Sequence, residues 1–166
     1  VTVEPAAPAE ADAVADLWVA LAADQRRHGS HLRAEASRDA VRASLARHAA
    51  DGGLTVARSD GELVGFVRFG VVRGPLSQDC ARGVVRDLYV VPDARDEGVG
   101  TRLLDAAETA LRDRGVDAVA VEALARNADA IRFYEQRGYR PHRIEFEREV
   151  ENENVHAGTD NLLPCQ

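Results

Sequence analysis

From Leu54 to Val72 the strand-like runs of this chain follow one another directly; from Val84 onward strands alternate with helices. Leu54–Ala57 and Leu63–Val72 are rich in β-formers and are joined through Asp60-Gly61, a pair that tolerates the positive φ of a tight hairpin turn. After a Gly74-Pro75 loop, Val84–Val91 reads as another strand, stopped by Pro92. The rhythm then changes. Gly98–Arg114 carries Val99, Leu103, Ala107, Ala110 and Leu111 on one helical face and closes on Gly115. Ala118–Glu122 follows as a strand and Asn127–Arg137 as a helix ending at Gly138. His142–Val150 alternates through Ile144, Phe146 and Val150, which predicts an antiparallel strand with one wet face. An antiparallel start joined to a strand-helix-strand half implies a mixed α/β sheet.

The N-terminal part supplies helices for that sheet. Thr2–Glu4 reads as a short strand ending at Pro5. From Ala9 to Arg26, Val14, Leu17, Trp18 and Leu21 recur at helical spacing. Ser37 is the expected N-cap of a second helix, carrying Val41 and Leu45 and closed by Gly52-Gly53.

Length and charge narrow the function. A chain of 166 residues fits one domain with one core, expected over residues 1–150; 151–166 reads as a flexible or partner-contacting tail. No run approaches the roughly 20 apolar residues of a membrane span, and no secretory signal is visible, so a cytoplasmic protein is expected. Cys80 and Cys165 form neither a disulfide framework nor a metal-ligand spacing. The net charge is −7, and all 21 basic residues are Arg, a balance that fits a GC-rich genome or a salt-adapted proteome. It argues against nucleic acid as a ligand, since phosphate backbones need a basic surface, and suits a cationic substrate such as an amine.

The chemistry is carried by the segment from Asp87 to Gly100. A strand ends at Pro92, a short turn follows, and Arg95-Asp96-Glu97-Gly98-Val99-Gly100 opens a helix. Backbone N–H groups at a helix start lack intrahelical partners, and the helix dipole favours negative charge there. Glycine at 98 and 100 lets a diphosphate approach without a Cβ in the way, and Arg95 adds a charge-assisted bond. Taken alone, such a glycine pair is equally a simple turn. It lacks the three glycines of the dinucleotide fingerprint.

One strand further on stands Asn127-Ala128-Asp129-Ala130-Ile131-Arg132-Phe133-Tyr134-Glu135-Gln136-Arg137-Gly138-Tyr139. With this second motif in place, the sequence resembles the GNAT superfamily of acetyl-CoA-dependent N-acetyltransferases from about Val1 to Val150, most closely from Val84 to Tyr139. The resemblance implies a twisted mixed sheet of six or seven strands with helices on both faces. It implies acetyl-CoA as donor, a pyrophosphate held by the backbone from Arg95 through Asp96, Glu97, Gly98, Val99 and Gly100 to Thr101, and no metal. The strand before the turn would be bulged and splayed, setting the backbone of Leu88, Tyr89 and Val90 against the cofactor arm. Asn127 would touch the cofactor, and Tyr134 would stand near its sulfur as general acid. The acceptor would be a small-molecule amine or a protein N-terminus, and the fold is compatible with a homodimer. A longer acyl donor, or a non-catalytic acyl-CoA-binding or assembly domain, are the rival readings; intact Tyr134 and the full Arg95–Gly100 turn speak for catalysis.

The general base stays open between Asp87, on the central strand, and Glu122, on its neighbour; period two alone does not say which face of the strand borders the cleft. His28 and His31, in the loop after the first helix, are further candidates. Each residue also has a plain structural role: Asn127 as a helix cap, Tyr134 as a core side chain beside Ile131, Asp87 as half of an ion pair. Asp96 and Glu97 bring negative charge to a turn meant for a diphosphate, which burdens binding at low salt unless both face solvent.

Overall fold

A computed structural model describes residues 1–150. The segment 151–166, expected to be a tail, lies outside the described residues. The chain groups into two compact units, Val1–Leu124 and a second that begins at Ala125.

In the first unit the elements run β1 (Thr2–Pro5), α1 (Ala11–Gln25), α2 (Ala34–Ala50), β2 (Leu54–Ser59), β3 (Glu62–Val71), β4 (Arg82–Val90), α3 (Val99–Asp113) and β5 (Ala118–Val121). The five strands form one sheet in sequence order. β1 to β4 pair antiparallel, and β5 joins β4 in parallel after the α3 crossover, so the sheet is mixed as the change of rhythm predicts. The β2–β3 turn is the expected two-residue one: Asp60 and Gly61 both take positive φ, 50° and 87°. α1 presents Val14, Trp18 and Leu21 to a core shared with Leu45 of α2, Leu54 and Val56 of β2, and Phe66 and Tyr89 of β3 and β4. α3 covers the opposite face. A Cβ at Gly65, the neighbour of Phe66, would sit 3.1 Å from Leu103 of α3, and successive strand residues alternate faces.

α2 starts at Ala34, three residues before the expected Ser37 cap. Ser37 lies inside the helix, its N–H donating to Arg33 O. Tertiary contacts extend that first turn: Ala34 packs on the core, and Arg38 reaches across to Asp12 and Asp16 of α1, its Nη2 2.7 Å from Asp16. Such anchoring outweighs the modest preference for a Ser cap.

In the second unit α4 spans Ala128–Gln136. Asn127 caps it, its Oδ1 accepting from the Ala130 N–H at 3.1 Å. The helix closes through Gly138 at φ 87°, with Gly138 N–H donating to Glu135 O and Tyr139 N–H to Tyr134 O. This is the paired-bond C-cap whose usual companion is a contact between those two residues, here the Tyr134 and Tyr139 rings at 5.7 Å.

The expected strand at His142–Val150 is a correction. Those residues form no ladder, and Phe146 is 90 % exposed. Alternation specifies which face a segment would bury, not that a neighbouring edge accepts it. Five strands among the described residues therefore stand where six or seven were expected.

Candidate active site

β4 keeps two neighbours for only half its length. Arg82–Val85 pair with Ala118–Val121 of β5; beyond Val85 only the pairing with β3 continues. At that point β4 carries one extra residue. Adjacent Arg68 and Phe69 of β3 pair with Asp87 and Val85, which leaves Arg86 without a counterpart. A bulge of this kind bends a strand and increases its twist, and the separation from β5 begins there.

The bulge fixes what the rest of β4 presents. Val91 N–H donates to Val64 O at 2.9 Å, so alternate residues Val90 and Leu88 direct their N–H and C=O away from β3, to the edge β5 has left. Tyr89 contributes backbone on the β3 side, and its ring is buried against Phe66.

That open edge leads into the glycine turn. After the short helical turn Pro92–Ala94, Asp96 takes φ 63° and Gly98 φ 77°, and α3 starts at Val99. The first intrahelical bond runs from Arg102 N–H to Gly98 O. The preceding N–H groups, of Val99, Gly100 and Thr101, thus lack intrahelical acceptors, and the start carries neither a side-chain cap nor an acidic residue in its first turn. A Cβ built on Gly98 meets nothing within 4 Å. Asp96 and Glu97 are exposed. Arg95 Nε donates to Val90 O at 2.9 Å, and its guanidinium lies 5.7 Å from the Tyr89 ring centroid. An uncapped helix start beside an open strand edge fits a diphosphate-bearing, amide-containing arm.

Asp87 faces α1 and α2, which period two alone left undecided. Its Oδ2 accepts from Arg68 Nε at 2.6 Å, with Nη2 also at 2.6 Å, while Arg68 Nη1 reaches Ser44 Oγ of α2 at 3.1 Å. The two charged side chains are only 13 % and 14 % exposed. Ser44 O in turn lies 2.8 Å from His48 Nδ1. Sequence reasoning missed Arg68, Ser44 and His48. The one available signal was an arginine set among Phe66, Val67 and Phe69. Glu122 is exposed, one residue past the end of β5. His28 ends a short helical turn in the α1–α2 connection and is half-buried; His31 follows in that loop, exposed.

In the second unit, Asn127 Oδ1 is committed to its cap, and the Tyr134 ring packs edge-on against Phe133 at 5.4 Å as well as Tyr139.

The model of the acetyltransferase (GNAT) family matches residues 13–139, a range that contains every residue of both motifs. The chain is 33 % identical over 86 residues to a Bacillus subtilis (strain 168) protein named uncharacterized N-acetyltransferase YhfO, covering 52 % of this chain and 57 % of that one. It is 44 % identical over 59 residues to aminoglycoside N(6')-acetyltransferase type 1 of Klebsiella aerogenes, 34 % of this chain and 38 % of that one. The chain thus spans less than two thirds of the length of either relative. Among solved structures, a GCN5-related N-acetyltransferase from Ralstonia eutropha JMP134 superposes with a TM-score of 0.71 at 24 % identity, covering 90 % of this chain and 97 % of that one. That likeness is one of fold.

Proposed function

Because this chain belongs to the GNAT acetyltransferase family, we propose that it transfers the acetyl group of acetyl-CoA to a primary amine by direct attack in a ternary complex. The observation that carries this reading is the open β4 edge running into an uncapped, glycine-opened helix start. The N–H groups from Val99 to Thr101 would hold the diphosphate, with Gly98 leaving room for it and Arg95 adding charge. The edge groups of Leu88 and Val90 would hold the amide-bearing arm.

Acetyl-CoA supplies a thioester, from which the amine nitrogen displaces the sulfur: the C–N bond forms as the C–S bond breaks. The Leu88 N–H, directed to the open edge, would donate to the carbonyl oxygen as negative charge grows there. Tyr134 donates its phenolic proton to the departing sulfur. A thiol leaves readily, its pKa being about 8.5, so the acid assists rather than decides. The proton lost by the amine passes to a base. Asp87 keeps Oδ1 for that task, directly or through water, while Oδ2 is held by Arg68; Glu122 is the alternative. Net charge −7 favours a cationic acceptor, and the aminoglycoside acetyltransferase among the relatives supports an amine of that kind.

CoA is expected to raise the thermal midpoint, since a ligand that binds only the native state stabilises it. Gly98→Glu should abolish the shift by setting a carboxylate among the N–H groups. Gly98→Asn, which tolerates the left-handed φ, separates charge from backbone strain and should keep part of the shift. An unchanged shift in Gly98→Glu would put the diphosphate elsewhere. Turnover of acetyl-CoA over a panel of polyamines, amino acids, aminoglycosides and peptide N-termini tests the reaction itself.

A further inference from the structure

Arg95 engages, from the open edge, a carbonyl that the cofactor reading assigns to the arm. Val90 O is the last strand carbonyl on the open edge of β4, at the passage from the gap to the glycine turn. Arg95 Nε holds that oxygen at 2.9 Å, and the guanidinium rests on Tyr89, whose ring is fixed by burial at 7 % exposure. The same side chain lies three residues before Gly98, the residue that opens α3. Its Nη groups remain available to a second anionic partner, because a guanidinium carries five N–H donors and only Nε is engaged here.

We infer that Arg95 is a donor-specificity residue: it blocks the Val90 carbonyl against arms that lack a diphosphate and yields it to arms that carry one. The inference rests on the acetyl-CoA reading above. A diphosphate at the start of α3 offers the Arg95 fork a charged acceptor and paired bonds in place of its single bond to the uncharged Val90 O, and so draws the side chain off the strand edge. The freed carbonyl then accepts an amide N–H of the arm. Pantetheine alone offers the same amides but nothing to move the guanidinium. It must displace the Nε–H···O bond at its own expense. The chain therefore discriminates against a bare thiol arm by more than the missing phosphate contacts.

Dissociation constants for CoA and for pantetheine, measured by calorimetry or amide-resonance titration, test this without turnover. Arg95→Ala and Arg95→Leu both remove the donor, and the leucine keeps apolar cover on Tyr89. The two ligands should move in opposite directions: CoA binding weakens about tenfold, and pantetheine binding tightens about three- to tenfold, the net span of one exposed hydrogen bond. An Arg95 that serves only as a phosphate anchor would weaken CoA and leave pantetheine unchanged, which overturns the inference while sparing the cofactor reading. Pantetheine weakened in both variants overturns it as well. A parent protein that binds neither ligand overturns the cofactor reading and this inference together.

Discussion

Replacing Arg68 with alanine leaves Asp87 as a carboxylate only 13 % exposed, with its two shortest bonds gone. Breaking a buried ion pair by removing one partner costs about 3–5 kcal/mol, and the remaining solvent contact of this pair lowers the expectation to about 2–4 kcal/mol. For a chain of this length that corresponds to a fall in thermal midpoint of about 4–16 °C. Asp87→Asn is milder. The amide oxygen still accepts from Arg68, and the loss is one charge-assisted bond, about 1–2 kcal/mol. Replacing both by apolar residues of similar volume, Arg68→Met with Asp87→Leu, leaves no stranded charge and should be less harmful than Arg68→Ala alone. The assay is urea unfolding of parent, single and double variants at constant ionic strength. With the single variants Arg68→Met and Asp87→Leu closing the cycle, the coupling should be about 1–3 kcal/mol. Additive effects within about 0.5 kcal/mol, or a loss below that in Arg68→Ala, would show that the pair does not bind α2 and β3 to the bulged strand.

Gly65→Ala would place a Cβ 2.6 Å from Tyr89 O and 3.1 Å from Leu103 Cδ1, so a loss of about 1–3 kcal/mol is expected by calorimetry, whereas Gly70→Ala meets nothing within 4 Å and should be far milder. Equal effects of the two would dismiss the close approach of β3, β4 and α3. Tyr134→Phe keeps the ring contacts with Phe133 and Tyr139, and kcat should fall by about 10- to 1000-fold with CoA affinity nearly unchanged. Parallel losses of CoA binding and turnover would make Tyr134 a binding or packing residue instead. Asp96→Asn with Glu97→Gln should tighten CoA binding at low salt and converge with the parent at 1 M KCl, where the Debye length is about 3 Å. No difference at low salt would mean that these exposed carboxylates are electrostatically silent.

The sequence alone determined the local features, because each depends on residues a few positions apart. Asp60-Gly61 marks its turn, Asn127 its cap, and Gly115 and Gly138 the ends of their helices, through positive φ and short-range hydrogen bonds. The two motifs around Arg95–Gly100 and Asn127–Tyr139 identified the family for the same reason: each is written in a short run of adjacent residues. Tertiary structure decided what no window contains. Arg68 finds Asp87 19 positions away and Ser44 24 positions away, which makes the candidate base also half of an ion pair facing α2. Ser37 caps nothing because Arg38 and the α1 surface draw the helix start back to Ala34. The alternation in His142–Val150 describes a strand that would bury one face, yet strand formation needs a neighbouring edge, and the periodicity of a segment carries no information about its partner. The position of the β4 bulge at Arg86 is of the same kind. One residue in excess is defined only against the count of the strand beside it, and that pairing alone sets which carbonyls and N–H groups face the gap.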